Sequence, residues 1–227
     1  MTHFLNSRRH FIYAIAVVTF LSCWVTADDV LSEPNERTKR EFMELALKDI
    51  DNEQMRIRAE MNKSKTEGNG AALFVQIPTL IPFIDFDYWY IDRDLRWAPA
   101  KGSKLPSVKV PKGFVSDLAS VPAILWMKYP PTGRYAYGAV VHDYLYWSRT
   151  TTKEIADEIL ALAMRDAGTD EGTITAFKLA LKAAGWKAWS DNKKAKANGE
   201  KRLLGVFPTD RLVSWEKWKA KPGVFKD

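Results

Sequence analysis

The period of the hydropathy pattern changes once along this chain, and that change restricts its fold more than any other feature. From Ala71 onward, apolar residues fall in short β-prone runs at 73–77, 86–91, 108–110 and 114–115, separated by proline and glycine. After Pro122 the spacing becomes helical. A short helix is predicted over 123–128, and a second runs from Pro130-Pro131-Thr132 to about Trp147. A third opens on a capping box, with Thr151 at N-cap and Glu154 at N3, and stops near Asp166 before Gly168. A fourth covers 173–189, with Ile174, Phe177, Leu181 and Ala184 on one side. Strands first and helices after predict an α+β fold: a small antiparallel sheet followed by a three- to four-helix cluster.

Upstream, Phe42, Leu45, Ala46, Ile50, Met55, Ile57 and Met61 recur at helical spacing and predict an N-terminal amphipathic helix over about 34–63. Thr66-Glu67-Gly68-Asn69-Gly70 then reads as a linker. The 227 residues, 46% hydrophobic and 27% charged, suit one ordinary globular domain with extensions. The organisation that follows is 1–27 signal peptide, 28–70 helical extension and linker, 71–190 globular domain, and 191–227 basic Trp/Lys-rich extension.

The signal reading rests on a predominantly apolar run of fifteen residues from Phe11 to Val25, preceded by Arg8 and Arg9 and followed by Thr26-Ala27. That run is short for a bilayer span, which needs about twenty residues. Cleavage is expected after Ala27, placing the protein in the periplasm or outside the cell. Ser7-Arg8-Arg9-His10-Phe11-Ile12 resembles a twin-arginine export motif; a general secretory signal and an uncleaved membrane anchor are the alternatives. The only cysteine, Cys23, lies inside this stretch, so the processed chain has no thiol for a disulfide or a thiolate metal site.

The net charge of +6 is dispersed among acidic stretches, and no groove-reading motif is present, so nucleic acid is not an expected partner. Trp186, Trp189, Trp215 and Trp218 stand near lysines in the C-terminal part, a pattern that suits contact with an anionic membrane or the cell envelope. Core packing explains Trp186 equally well.

His3 and His10 belong to the signal segment, which leaves His142 as the one imidazole of the processed chain. It lies in the second predicted helix with Tyr146 four residues on, so the two share a face, while Asp143 is turned by about 100° and can reach another group or an ion. Asp117 and Ser120 sit where a strand passes into a helix and can bond to free N–H groups there. Asp157, in the third helix, flanks an apolar stripe of Ile155, Ile159 and Leu162. A carboxylate so close to a core must be paired, hydrogen-bonded or bound to a cation.

The segments Val110-Pro111-Lys112-Gly113-Phe114-Val115-Ser116-Asp117-Leu118-Ala119-Ser120-Val121-Pro122, Pro130-Pro131-Thr132-Gly133-Arg134-Tyr135, His142-Asp143-Tyr144-Leu145-Tyr146, Ala156-Asp157 and Ala163-Met164 resemble a bacterial and phage family. It is the one catalogued as domain of unknown function 1353, and the resemblance spans about 86–186. It implies a shared fold and recurrent polar residues at Asp117, Ser120, His142, Asp143 and Asp157, with Ser116 where the family has Thr. It implies no reaction.

Two functions fit these residues. In a hydrolase, His142 is general base, Asp117 or Asp157 orients its other nitrogen, and Asp143, with Asp117 and Asp157, holds a divalent cation such as calcium or magnesium. His142-Asp143-x-x-Tyr146 is similar to the active-site helix of secreted phospholipases A2, although their glycine-rich calcium loop and cysteines have no counterpart here. In a phage-like or envelope-associated binding module, the same side chains form a buried hydrogen-bond network without catalysis.

Overall fold

Proline and glycine between residues 78 and 113 keep every strand to four residues or fewer, so the β part divides into small pieces. A computed structural model describes residues 36–66, 73–118 and 133–226. The signal segment, the linker residues 67–70, Ser120 and the helix predicted over 123–128 lie outside the described residues. The fold is α+β, as the change of period predicts. In chain order the elements are α1 (Glu36–Thr66), β1 (Leu73–Gln76), β2 (Leu80–Pro82), β3 (Trp89–Ile91), β4 (Leu95–Ala98), β5 (Val108–Val110) and β6 (Val115–Ser116). The helices α2 (Tyr135–Ser148), α3 (Lys153–Asp166), α4 (Glu171–Ala197) and α5 (Trp215–Lys219) follow.

The strands form two antiparallel sheets of three strands rather than one, in the orders β1-β4-β5 and β2-β3-β6. In the first, β4 alternates, with Leu95 and Trp97 buried and Arg96 exposed, as a sheet with one wet face requires. In the second, all three residues of the central strand β3 are buried. Trp89 and Ile91 enter the main core with α2 and α3, while Tyr90 points into a separate cluster with Phe83, Val115, Leu204, Trp215, Trp218 and Val224. A strand apolar at successive positions needs cover on both faces. Here the second cover is the C-terminal segment.

That segment is therefore part of the folded body, contrary to the surface extension expected over 191–227. Trp215 and Trp218 lie one turn apart on α5 and are buried, with the Trp215 ring centroid 5.2 Å from that of Phe83. The preceding chain adds to the edge of β6: Val115 N–H donates to Arg202 O at 2.8 Å and Leu204 N–H to Gly113 O at 2.9 Å. Gly113 has φ +89°, and a Cβ there would meet Leu204 O at 2.4 Å, so only glycine permits this approach. Of the four tryptophans assigned to membrane contact, Trp186 alone is exposed, at 62%. No helix among the described residues is long and apolar enough to cross a membrane.

Helix α1 also docks on the body. Ile50, Ile57 and Met61 join the main core, and the buried Gln54 carboxamide bonds both ways with Leu80, accepting from its N–H at 2.8 Å and donating to its carbonyl at 2.6 Å. Helix α3 is capped by Thr152, one residue later than the expected Thr151. Both threonines precede the same apolar stripe, and only Thr152 places its Oγ1 on Ile155 N–H, at 3.4 Å. Helix α4 starts on an Asp170 cap and runs eight residues past the predicted end.

Candidate functional site

Four residues, Arg149 to Thr152, turn the chain from α2 into α3, so the two helices pack side by side. Each presents a pair of polar side chains one turn apart, His142 and Tyr146 on α2, and Lys153 and Asp157 on α3. The pairs meet on the Asp157 carboxylate. Its Oδ1 lies 2.9 Å from His142 Nε2 and accepts from the Tyr146 hydroxyl at 2.6 Å; its Oδ2 accepts from Lys153 Nζ at 2.6 Å. The imidazole and phenol rings are in tilted contact, with centroids 4.0 Å apart.

Helix α4 closes this cluster from outside. Its Gly185 is placed where a Cβ would come within 2.9 Å of Lys153 Nζ and 3.2 Å of the Tyr146 hydroxyl. Trp189, one turn on, packs edge-on against Tyr146 and is covered by the Arg149 guanidinium at 3.9 Å. His142 is 1% exposed and Lys153 7%, whereas Asp157 keeps 23%. The carboxylate thus joins the buried imidazole to a groove of about 500 Å³ between α3 and α4, which Lys153, Asp157 and Trp186 help to line.

The electrostatics follow from these contacts. Burial pushes the Asp157 carboxyl up, but hydrogen bonds from His142, Lys153 and Tyr146 together outweigh it and hold it below the ordinary carboxylate range. Burial, then the bond to Asp157 and its negative charge, raises the Tyr146 phenol far above its usual value, so this hydroxyl remains a donor. A carboxylate can only accept, so with Asp157 ionised, His142 carries its hydrogen on Nε2.

The other side of His142 faces β6. Nδ1 lies 4.0 Å from Asp143 Oδ1, and Asp143 Oδ2 accepts a short hydrogen bond from Ser116 Oγ. Ser116 Oγ in turn accepts from Leu118 N–H at 3.0 Å. Leu118 has φ +49°, a left-handed bend rarely taken by a bulky residue, and it turns the chain just past Ser116. The two named possibilities for orienting His142 are thereby separated. Asp157 makes the contact, while Asp117 stands toward the C-terminal segment with its Oδ2 3.7 Å from Arg202 Nη2.

The three carboxylates expected to share a cation take different partners. Asp157 binds Lys153, Tyr146 and His142, Asp143 binds Ser116, and Asp117 faces Arg202. Among the described residues no three His, Asp or Glu side chains are arranged to hold a metal ion. Tyr146 belongs to the site as expected from its spacing. Sequence reasoning missed Lys153, Gly185 and the role of Ser116. Lys153 had a usable signal, since it precedes Asp157 by one helical turn. Ser116 and Gly185 had none, because their contacts are tertiary.

Residues 89–180 match the model of the family described as protein of unknown function DUF1353. The match falls inside the span whose motifs carry the resemblance. No curated protein and no solved structure matches the chain.

Proposed function

We propose that this protein is a hydrolase in which His142 is the general base and Asp157 its orienting carboxylate. The observation that supports this most is the 2.9 Å contact of His142 Nε2 with an Asp157 that is itself fixed by Tyr146 and Lys153. With its Nε2–H fixed on a carboxylate, the imidazole acts as the base through its other nitrogen. In the reaction, Nδ1 takes a proton from water as the oxygen attacks the substrate, and returns it to the leaving group when that bond breaks. The imidazolium formed between the two steps is stabilised by Asp157 at one nitrogen and by Asp143, 4.0 Å away, at the other.

The test is turnover of a panel of p-nitrophenyl carboxylic and phosphoric esters, with and without added calcium or magnesium. Wild type is expected to turn over at least one ester, and His142→Ala to lose about 10²–10⁴-fold of that rate. Nitrogen-15 NMR of the imidazole should show the Nε2–H tautomer at neutral pH. Equal turnover in His142→Ala sinks the proposal.

A second reading, an envelope or phage-like binding module with a buried polar network, is favoured by the 1% exposure of His142. Under it, His142→Ala costs about 1–3 kcal/mol of stability by leaving Asp157 short of a donor, with no turnover to lose. Metal ions then leave the melting temperature unchanged.

A further inference from the structure

Two rows of like charge face each other across the groove between α3 and α4. Four residues, Ala167 to Asp170, join these helices, so they run antiparallel and their side chains form opposite walls. Glu154 and Glu158 stand one turn apart on the α3 wall, and Lys178 and Lys182 one turn apart on the α4 wall. Like charges at this spacing repel and weaken the helix that carries them. Elsewhere the helices set opposite charges at the same spacing, as in Arg40 with Glu44, Arg56 with Glu60 and Lys187 with Asp191. Among the described residues, none of these four groove side chains makes a hydrogen bond or ion pair. The other charges of the lining are matched, Lys153 on Asp157 and Arg165 on Glu171. Two carboxylates and two ammonium groups remain, on opposite sides, and their charges sum to zero.

The space they border has an apolar floor. Ala161 and Leu181 are buried, Leu162 is half-buried, and the volume of about 500 Å³ lies within the range of ligand sites. At the Lys153 end stands the indole of Trp186, 62% exposed, with the Lys153 ammonium 5.4 Å from its ring centroid. A large aromatic left in water beside an apolar floor suits a contact surface. An anion or a cation alone is attracted by one wall and repelled by the other, and a purely apolar ligand leaves both rows unmatched.

We propose that this groove binds a short zwitterionic peptide, with its free amino terminus at Glu154 and Glu158, its carboxylate at Lys178 and Lys182, and an apolar side chain against Leu181 and Trp186. Packed helices lie about 8–10 Å apart, and two or three extended residues span about 7–11 Å, so the two termini reach both walls. Amide resonances of the full chain, followed while leucyl-leucine, leucyl-phenylalanine and alanyl-leucyl-phenylalanine are titrated in turn, test the idea. At least one peptide should give saturable shifts at Glu158, Leu162 and Lys182. Acetylating its amino terminus or amidating its carboxylate should each weaken binding about tenfold, the worth of a hydrogen bond to a charged group. Glu154→Gln with Glu158→Gln should remove the penalty of acetylation alone, and Lys178→Gln with Lys182→Gln that of amidation alone. All four side chains are exposed, so these variants keep the fold. Binding is read directly, so the absence of ester turnover at the His142 centre leaves it standing. Three results overturn it: no saturable shift with any of the peptides, equal binding of the blocked forms, or the same shifts on raising protein concentration without peptide, which would make the groove a contact between copies.

Discussion

At the scale of single residues, the site depends on how Asp157 stays ionised in a half-buried place. Its folded-state value is lowered, so the stability it contributes is present above the ordinary carboxylate range, about pH 4. That contribution is lost as the pH falls through the lowered value. Asp157→Asn should therefore unfold more readily than wild type at pH 7, with the gap closing as the pH drops below about 4; urea unfolding at several pH values measures it. Gly185→Ala sets two effects against each other. Alanine gains about 1 kcal/mol over glycine within a helix, but its Cβ would press on Lys153 and the Tyr146 hydroxyl at 2.9 and 3.2 Å. Overpacking costs about 1–3 kcal/mol. With Lys153 buried against Asp157, displacement should win, lowering stability by about 1 kcal/mol in chemical denaturation. The pairing of His142 with Tyr146 was legible from helical spacing alone, and Asp157 from its place beside an apolar stripe. What spacing does not carry is which distant acid meets the imidazole. Asp117 and Asp157 were equal on sequence grounds, and the turn between α2 and α3 decides for Asp157.

At the scale of elements, helices were easier to read than strands because each turn of a helix repeats its signal. Strands β2 and β4 went unrecognised: three or four residues, one containing Pro82 and the other Arg96, give too short a run for alternation to show. Pro82 is tolerated because β2 is an edge strand. The C-terminal segment was misread because tryptophans interleaved with lysines look like a wet surface. On α5, however, Trp215 and Trp218 share one face, and their lysine neighbours Lys217 and Lys219 stay exposed. The apolar run Tyr88-Trp89-Tyr90-Ile91 held the missing clue, since it asks for cover on both sides of its sheet. Trp215→Ala should cost about 3–5 kcal/mol in urea unfolding, as for a fully buried aromatic. A surface tryptophan would change stability by less than about 0.5 kcal/mol.

At the scale of the whole molecule, the segment that matches the family model is smaller than the unit that folds. Residues 89–180 contain β3 to β6, α2, α3 and the first part of α4, yet each sheet loses a member when the chain is cut there. The strands β1 and β2 that pair with β4 and β3 lie before the segment. The cluster on the second face of β3 loses Leu204, Trp215, Trp218 and Val224, and α4 loses Gly185 and Trp189, which close the Tyr146 side of the site. Helix α1 takes with it Ile50, Ile57, Met61 and the Gln54 clamp on Leu80. Exposed apolar surface on both sheets and a shortened helix cannot be balanced by the remaining core, because small domains already bury too little surface to spare any. The fragment 89–180 should therefore show no cooperative urea transition and should bind the dye ANS, while 36–226 unfolds in a single step. A cooperative transition of the short fragment, with near-ultraviolet dichroism like that of the longer chain, would show that the C-terminal cover and α1 are additions to a self-sufficient core.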